Sequence, residues 1–311
     1  MIIFRADVSP RTGLRSVHRC AWLASLLRKG NDVLLCCRED KQAAKFLAGA
    51  KIPFSLVKDP AASDISEAGA VLFDLSSFSS QDIALLGKAK QNGVQTIQIV
   101  PCGGERQAAD FVVSPCAELA DALLHHKFRH FNRAKRKYRE RTRLIFINLG
   151  DMLPYRGLRA IVDTLHRLRF RMKISPGLAL KKADKRNLMR IYPGIHFRGK
   201  SESPARAYFE ADLALIPPGD EALEAACVGT PALNFPVAKD QETLADAWAA
   251  KGLGVKIPSL ADFSVDGVRE ALAPLDRENR EKMGAAGRAL VDGLGVHRFL
   301  ARLKELGIIE K

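Results

Sequence analysis

Charged residues stand together where the first apolar run of the chain stops. The apolar residues 2–4 are followed by Arg5 and Asp7, and a polar loop then leads to Gly13. A carboxylate at a strand end can orient a sugar hydroxyl or a catalytic base, and an arginine can hold a phosphate. The alternative role of Arg5 and Asp7 is a structural ion pair that anchors the loop, and the residue types leave both roles open.

More polar residues follow at the start of an amphipathic segment over 17–29. In a parallel α/β sheet, a strand end and the next helix N-terminus converge where substrates are held. We therefore predict a substrate site at this loop. The predicted catalytic residues are Asp7, Ser16 and His18, and the predicted substrate-binding residues here are Arg5, Gly13, Arg15 and Arg19.

A second group of candidates lies in the other half of the chain. Glu224, on a predicted helix, can accept two hydrogen bonds from the hydroxyls of a ribose, although an exposed helix acid is the alternative. Asp151 is either a ligand or the N-cap of the next helix. The carboxylate of Asp220 favours a helix N-terminus but repels a diphosphate. The predicted substrate-binding residues of this half are Gly150, Asp151, Gly219, Asp220, Glu224 and Gln241.

Alternating strands and helices must position these residues. The first half has apolar runs of strand length at 2–5, 32–37, 54–57, 70–73, 96–100 and 111–113, separated by amphipathic segments. The pattern restarts at 144–149 and continues through 171–175, 195–198, 213–217 and 231–235. This rhythm predicts two parallel, doubly wound α/β domains, over 1–135 and 144–311, whose strand ends face each other across a cleft.

Length and composition agree with two domains. The chain has 311 residues, of which 47% are hydrophobic and 27% charged, as in soluble globular proteins. The absence of a long apolar run argues against a membrane span, and Arg5 and Asp7 interrupt any secretory signal. We expect a cytoplasmic protein with six reduced cysteines, no metal site and no cofactor.

The charge of +14 is concentrated in one stretch. Residues 125–143 contain nine lysines and arginines but a single acid, Glu140. A basic linker at about 130–143 is one interpretation, and a surface for an anionic acceptor or a protein partner is another. No nucleic acid is expected as a partner, because no recognition motif surrounds the stretch.

Several of these segments, in order, resemble one family. They are Phe4-Arg5-Ala6-Asp7 with Gly13-Leu14, Val17 and Arg19-Cys20; the 121–128 stretch before the basic run; and 211–216 with Glu224, Gly229-Thr230-Pro231, Asp240-Gln241 and Lys251-Gly252. Together they resemble the UDP-sugar hydrolases of pseudaminic-acid biosynthesis, which share the GT-B fold with the lipid II-forming N-acetylglucosaminyltransferase.

The resemblance implies a UDP-linked amino sugar as ligand, processed for flagellin or surface-glycan modification. It also implies that Glu224 holds the ribose and that Gln241 lies near the sugar-nucleotide. The family's general-base histidine is replaced here by Ser16, preceded by Arg15 in place of a glycine. A glycosyltransferase or a non-catalytic sugar-nucleotide scaffold on the same fold are therefore the alternative functions.

Overall fold

Two six-stranded parallel sheets organise the chain. The computed structural model describes residues 1–9, 13–150, 153–177, 180–199, 201–237 and 239–310. Contacts divide the chain into a first unit, Met1–Asp121 with His297–Lys311, and a second unit, Ala122–Val296.

The first unit contains strands β1 to β6. Their bounds are β1 Ile2–Ala6, β2 Val33–Arg38, β3 Phe54–Val57, β4 Ala70–Asp74, β5 Gln95–Ile99 and β6 Phe111–Val113. The helices between them are α1 Arg15–Leu27, α2 Lys41–Ala50 and α3 Ser80–Gln91. The strand order is β3-β2-β1-β4-β5-β6, and every pair is parallel. All residues of β1 and β4 are buried, as expected for central strands covered on both faces.

The second unit has the same plan. Its strands are β7 Leu144–Ile147, β8 Arg171–Ile174, β9 Ile195–Phe197, β10 Leu213–Ile216, β11 Ala232–Asn234 and β12 Val255–Lys256. Its helices are α4 His126–Arg133, α5 Tyr155–Arg167, α6 Lys182–Ile191, α7 Pro204–Glu210, α8 Asp220–Val228, α9 Glu242–Ala250, α10 Val265–Leu272 and α11 Arg277–Leu290. The strand order is β12-β11-β10-β7-β8-β9, again parallel throughout.

Each sheet therefore reverses its winding between two central strands, β1 and β4 in one and β7 and β10 in the other. In doubly wound sheets the carboxyl ends of strands at such a point hold ligands. The candidates Asp7, Gly150 and Gly219 follow β1, β7 and β10, whereas no predicted site residue follows β4. The predicted fold class, two doubly wound α/β domains, is confirmed.

The basic segment and the last helix divide differently from the predicted boundaries. Residues 122–143, including α4, belong to the second unit, whereas the predicted linker began near 130. The last helix, α12 at Gly295–Glu305, returns to the first unit, where the Phe299 ring stacks on Phe111 of β6.

The segment after α4 is fastened to the second unit by its own side chains. Arg136 donates hydrogen bonds to the Phe209 carbonyl and the Thr230 hydroxyl, both at 2.9 Å, and also bonds the Ala211 carbonyl. Burial lowers the pKa of Arg136 to about 10. Tyr138 donates to the Gly229 carbonyl at 2.7 Å. Part of the basic run is thus committed to structure.

The expectation of six reduced cysteines is wrong at two positions. Cys102 and Cys116 form a disulfide, with their Cα atoms 5.4 Å apart, while the other four are free and buried. The physical reason is strand register. Ile99 of β5 pairs with Val113 of β6, and each cysteine follows its paired residue by three positions. Their 14-residue separation alone does not show this proximity.

Helices α8 and α11 approach so closely that side chains are excluded between them. A Cβ added to Gly284 would lie 2.6 Å from the Gly229 carbonyl oxygen and 1.8 Å from the Tyr138 hydroxyl. One added to Gly287 would lie 2.9 Å from the Ala226 carbonyl oxygen. Glycines here are required by packing.

We predict that Gly284→Ala lowers the free energy of unfolding by about 2 kcal/mol or more, because backbone must move to admit the methyl group. Gly49→Ala in α2 is the matched control, since open space surrounds that position. The control should raise stability by up to about 1 kcal/mol through helix propensity. Urea unfolding followed by circular dichroism measures both, and equal effects would contradict the close-packing argument.

Candidate functional site

A fully buried arginine organises the strand ends of the first unit. The Arg5 side chain has no exposed surface. Its Nε donates to Asp82 Oδ1 at 2.9 Å, and its two terminal nitrogens bond both carboxylate oxygens of Asp7, the Nη1–Oδ1 distance being 2.6 Å. Such a buried guanidinium is tolerated only when it is paired and hydrogen-bonded.

A second arginine closes the network. Arg38, at the end of β2, lies 3.2 Å from Asp7 Oδ2 and 3.3 Å from Asp82 Oδ2, and its backbone N–H donates to Asp7 Oδ1 at 2.7 Å. Asp82 also makes the capping box of α3 with Ser79. The carboxylate of Asp7 therefore accepts bonds from two arginines, which is the geometry of the structural ion pair.

The second network centres on Asp74, at the end of β4. The Asp74 carboxylate is bonded by Arg19 through Nε at 2.6 Å and Nη2 at 2.8 Å, and it accepts the Ser16 hydroxyl at 3.0 Å. Both Asp74 and Ser16 are buried. The Ser16 hydroxyl proton points to a carboxylate whose charge Arg19 already balances. This arrangement fixes α1 on β4.

Three further candidates of this loop are His18, Arg15 and Gly13. His18 is exposed, and its ring packs against Phe46 of α2 in a tilted arrangement, with centroids 4.1 Å apart. Arg15 is half-buried in the first turn of α1. Gly13 has φ +58° and exchanges two backbone hydrogen bonds with Ser9, so it closes the loop in a conformation that favours glycine. The roles of these residues in binding or catalysis stay predictions.

The buried thiols near these networks are not activated. Burial, followed by the charge of Asp7, raises the pKa of Cys37 to about 12. Burial and the charge of Asp74 likewise raise the pKa of Cys20. A nucleophilic cysteine needs the opposite shift.

The strand ends of the second unit combine glycine loops with buried acids. Gly150, after β7, has φ +64°. Glu221, in the first turn of α8, is 5% exposed, and its carboxylate lies between Gly150 and Gly219, within 3.5 Å of where a Cβ on either would stand. Asp220 beside it is 8% exposed. This helix N-terminus therefore already carries two carboxylates, which oppose a diphosphate by charge.

The two residues predicted to hold the nucleotide have different surroundings. Glu224 is half-buried, one turn further along α8. Gln241 accepts the Val237 backbone N–H on its Oε1 at 2.9 Å and so closes the loop before α9. Asp151 lies outside the described residues. A ribose-binding role for Glu224 stays a prediction.

A small apolar cavity lies at the ends of β7 and β8. Gly150, Ser175 and Gly177 contribute its polar rim, and leucine and isoleucine side chains line the rest. Its free volume of about 20 Å³ admits roughly one water. A nucleobase does not fit inside it.

Within the described ranges, no group of three or more His, Cys, Asp or Glu side chains is arranged to share a metal ion. Among those residues there is also no helix with the length and apolar character of a bilayer span.

Three charged residues of the first unit, Arg38, Asp74 and Asp82, belong to no motif that marks them as site residues. Weak signals do exist. Asp74 ends an apolar strand as Arg5 does, and Asp82 stands three positions after Ser79 in a capping-box pattern. Those signals predict local structure but not which distant side chains meet.

No protein-family model matches the chain, and no curated protein sequence matches it. Several solved structures do match the chain. MurG of Acinetobacter baumannii is 15% identical with a TM-score of 0.66, covering 98% of this chain and 99% of that one. A UDP-glucosyltransferase from Polygonum tinctorium is 11% identical with a TM-score of 0.62, over 93% and 92%. UDP-GlcNAc 2-epimerase from Neisseria meningitidis, bound to UDP-GlcNAc, is 13% identical with a TM-score of 0.54, over 98% and 100%.

These likenesses extend over nearly the whole chain and establish its fold. The protein has the GT-B fold, built from two Rossmann-like domains. At such low identity the likeness carries the fold alone, because one fold hosts many reactions.

The pairing of Asp82 generates a pH prediction. Burial by itself raises the pKa of Asp82, but the charge of Arg5 and the hydrogen bonds from Ser79 outweigh it and leave the pKa below its ordinary value. A carboxylate with a lowered folded-state pKa stabilises the fold above about pH 4 and loses that contribution as the pH falls further.

We expect Asp82→Asn to lower stability at pH 7 by about 3 kcal/mol, because Arg5 loses a buried partner. The loss of stability from about pH 5 to pH 2 should also become shallower than in the unmodified protein. The exposed pair Asp266–Arg269 supplies the control, and Asp266→Asn should change stability by less than about 1 kcal/mol. Urea titrations across this pH range measure all three proteins; an unchanged acid slope would contradict the assignment.

Proposed function

We propose that this protein binds a nucleotide-linked sugar, with the nucleotide on the second unit. The observation that carries the proposal is the GT-B fold itself, with glycine loops at the carboxyl ends of its central strands. Two structural neighbours are complexes with related ligands, UDP-GlcNAc in one and thymidine diphosphate in the other.

The residues toward the nucleotide follow from position and chemistry. Glu224 supplies a carboxylate for the ribose hydroxyls, and Gln241 borders the sugar side. Glu221 acts against the phosphates, because its buried carboxylate lies between the two glycine loops. Glu224 and Glu221 therefore have opposite effects on affinity.

We predict that Glu224→Gln weakens the binding of UDP by roughly 10- to 100-fold, the effect of losing charged hydrogen bonds to the ribose. Glu221→Gln should tighten it by about tenfold, because a neutral amide of the same shape removes the repulsion of the diphosphate. Glu278→Gln, an exposed acid on α11, is the control and should leave the affinity unchanged.

Isothermal titration with UDP and uridine reports these changes, since uridine lacks phosphates and should not respond to Glu221→Gln. A thermal-shift panel of UDP, GDP and CMP with their sugars tests the class as a whole. A ligand that binds the folded state must raise its apparent stability. Stabilisation by none of these nucleotides would exclude the proposed function.

For the reaction, we propose hydrolysis of a UDP-linked amino sugar, as in the pseudaminic-acid pathway enzymes that the sequence resembles. Water activation needs a general base within hydrogen-bond reach of its proton. Asp7 and Ser16 are held in ion-pair networks, so their part in such a site is to position the loop. His18 is the remaining candidate base.

Glycosyl transfer is the second candidate. In a transferase the acceptor hydroxyl replaces water, and the structural neighbours include several glycosyltransferases. A third candidate is a non-catalytic scaffold that binds the sugar nucleotide without turnover. It is consistent with the structural role of Asp7 and Ser16, whose side chains are held in ion-pair networks.

A product assay separates the three. With UDP-GlcNAc labelled in the sugar, hydrolysis yields free labelled sugar, transfer yields a labelled acceptor from cell extract, and a scaffold yields neither while still binding. If His18 is the base, His18→Ala should reduce the release of free sugar by about 100-fold or more without altering UDP affinity. The exposed His297→Ala serves as control, and equal rates for both variants would exclude His18 as the base.

A further inference from the structure

The second unit contains another basic stretch besides the run before β7. Residues 153–199 include twelve lysines and arginines but only two acids, Asp163 and Asp184. Both acids are already engaged. Asp163 pairs with Arg167 at 2.9 Å, and Asp184 accepts the Lys181 backbone N–H at 3.0 Å in the first turn of α6. The acids of this stretch therefore leave most of its positive charge unbalanced.

Helices α5 and α6 present much of this charge on one surface. Their buried apolar residues belong to one core, which covers a single face of the sheet. Asn187 of α6 donates to the Tyr155 hydroxyl of α5 at 2.8 Å, so the two helices lie side by side. On both helices the exposed cations stand opposite the buried apolar residues and so project away from the sheet. These cations, which we call the basic face, are Arg156, Arg159, Arg167, Lys182, Arg186 and Arg190.

Most cations of the basic face are available to a partner. Within the described ranges, Arg167 is the one member that forms an ion pair. The face is bounded on one side by α10, which packs on α5 and carries the exposed acids Asp266 and Glu270. An anionic partner would therefore meet α5 and α6 and not α10.

Exposed apolar side chains accompany the cations at the end of α6. Met189 is 45% exposed and lies beside Arg186 and Arg190, while Ile191, the last residue of the helix, is 39% exposed. Cations next to exposed apolar side chains are typical of helices that lie on a bilayer surface. The cations meet the headgroups, and the apolar side chains enter the boundary with the acyl chains.

The aromatic rings near the face do not favour a nucleic acid as its partner. The Tyr155 hydroxyl is bonded to Asn187, Tyr192 is 6% exposed, and Lys185 Nζ covers the Phe197 ring at 5.9 Å from its centroid. These rings offer no open platform on which the bases of a single strand could stack. The phosphates of a duplex could pair with the cations but would leave Met189 without an apolar partner.

We propose that the basic face is a docking surface for a bilayer rich in anionic phospholipids. The negative surface potential of such a bilayer attracts clusters of lysine and arginine. Because a bilayer is broad, it can contact the cations of both helices at once while Met189 enters its interface. Charge and apolar character are thus complementary to the same surface.

Vesicle binding tests the proposal. The probes are vesicles of phosphatidylcholine alone and vesicles in which about one-third of the lipid is phosphatidylglycerol. We expect the protein to sediment with the anionic vesicles and to remain in solution with the neutral ones. Binding should weaken as salt is raised, because salt screens the attraction.

Variants assign the binding to this face. Each cation near an anionic bilayer contributes about fivefold in affinity, so the combined Lys182→Gln, Arg186→Gln and Arg190→Gln protein should bind roughly 100-fold more weakly. The matched control carries Lys135→Gln, Lys137→Gln and Arg141→Gln, the same charge change at exposed positions elsewhere in the second unit. This control should keep at least half of the affinity. Thermal melts that match the unmodified protein show that both variants are folded.

A fluorescent side chain tests contact with the lipid directly. Met189→Trp places an indole at the predicted interface, in addition to Trp22 and Trp248. Its emission should shift to the blue on anionic vesicles, and brominated lipid should quench it more than it quenches the unmodified protein. A phosphate backbone or an acidic polypeptide cannot produce quenching by brominated acyl chains.

Several results would overturn the proposal. Failure to bind anionic vesicles, or equal binding to neutral ones, would exclude an anionic bilayer as the partner. An equal loss of affinity in the control variant would assign binding to net charge. Retention on duplex DNA or on polyglutamate without retention on vesicles would assign the face to nucleic acid or to an acidic protein. None of these outcomes depends on whether the protein binds UDP.

Discussion

Neutralising buried charge is the constraint on which the first unit depends. Arg5 has no exposed surface, and a guanidinium in that position is stable only with carboxylates around it. Asp7 and Asp82 supply them, and Arg38 balances the surplus. This network joins β1, β2 and α3, while Asp74 with Arg19 and Ser16 joins β4 and α1. The polar residues that look most like a catalytic set are therefore those that hold the strand ends together.

The second unit has the same topology as the first but different residues at the carboxyl ends of its central strands. Its strand order repeats that of the first unit, yet its central strands end in glycine loops with Glu221 between them. At the ends of its own central strands, the first unit instead has paired, buried side chains. Similarity to glycosyltransferases and a UDP-sugar epimerase thus establishes the fold alone. Which ligand a protein of this fold binds depends on the side chains at the strand ends.

The basic run illustrates two uses of one composition. Arg136 is half-buried and bonds three polar partners, while Lys135 and Lys137 on either side are exposed. An extended backbone places alternate side chains on opposite faces, so one stretch both fastens itself to the domain and presents exposed charge. Counting charges along the sequence cannot separate these two sets.

Local patterns in the sequence determined the fold. Apolar runs and amphipathic periods predict most strands and helices to within one or two residues, and their alternation predicts two parallel sheets. The sequence patterns listed above predict no strand at β12, which has two residues, and no helix at α4, α10 or α11. The tertiary structure decided which charges meet. Arg5 and Asp82 are 77 residues apart, Ser16 and Asp74 are 58 apart, and Cys102 reaches Cys116 through strand register. Periodicity is a property of neighbouring residues, whereas ion pairs and disulfides depend on how separate strands are brought side by side.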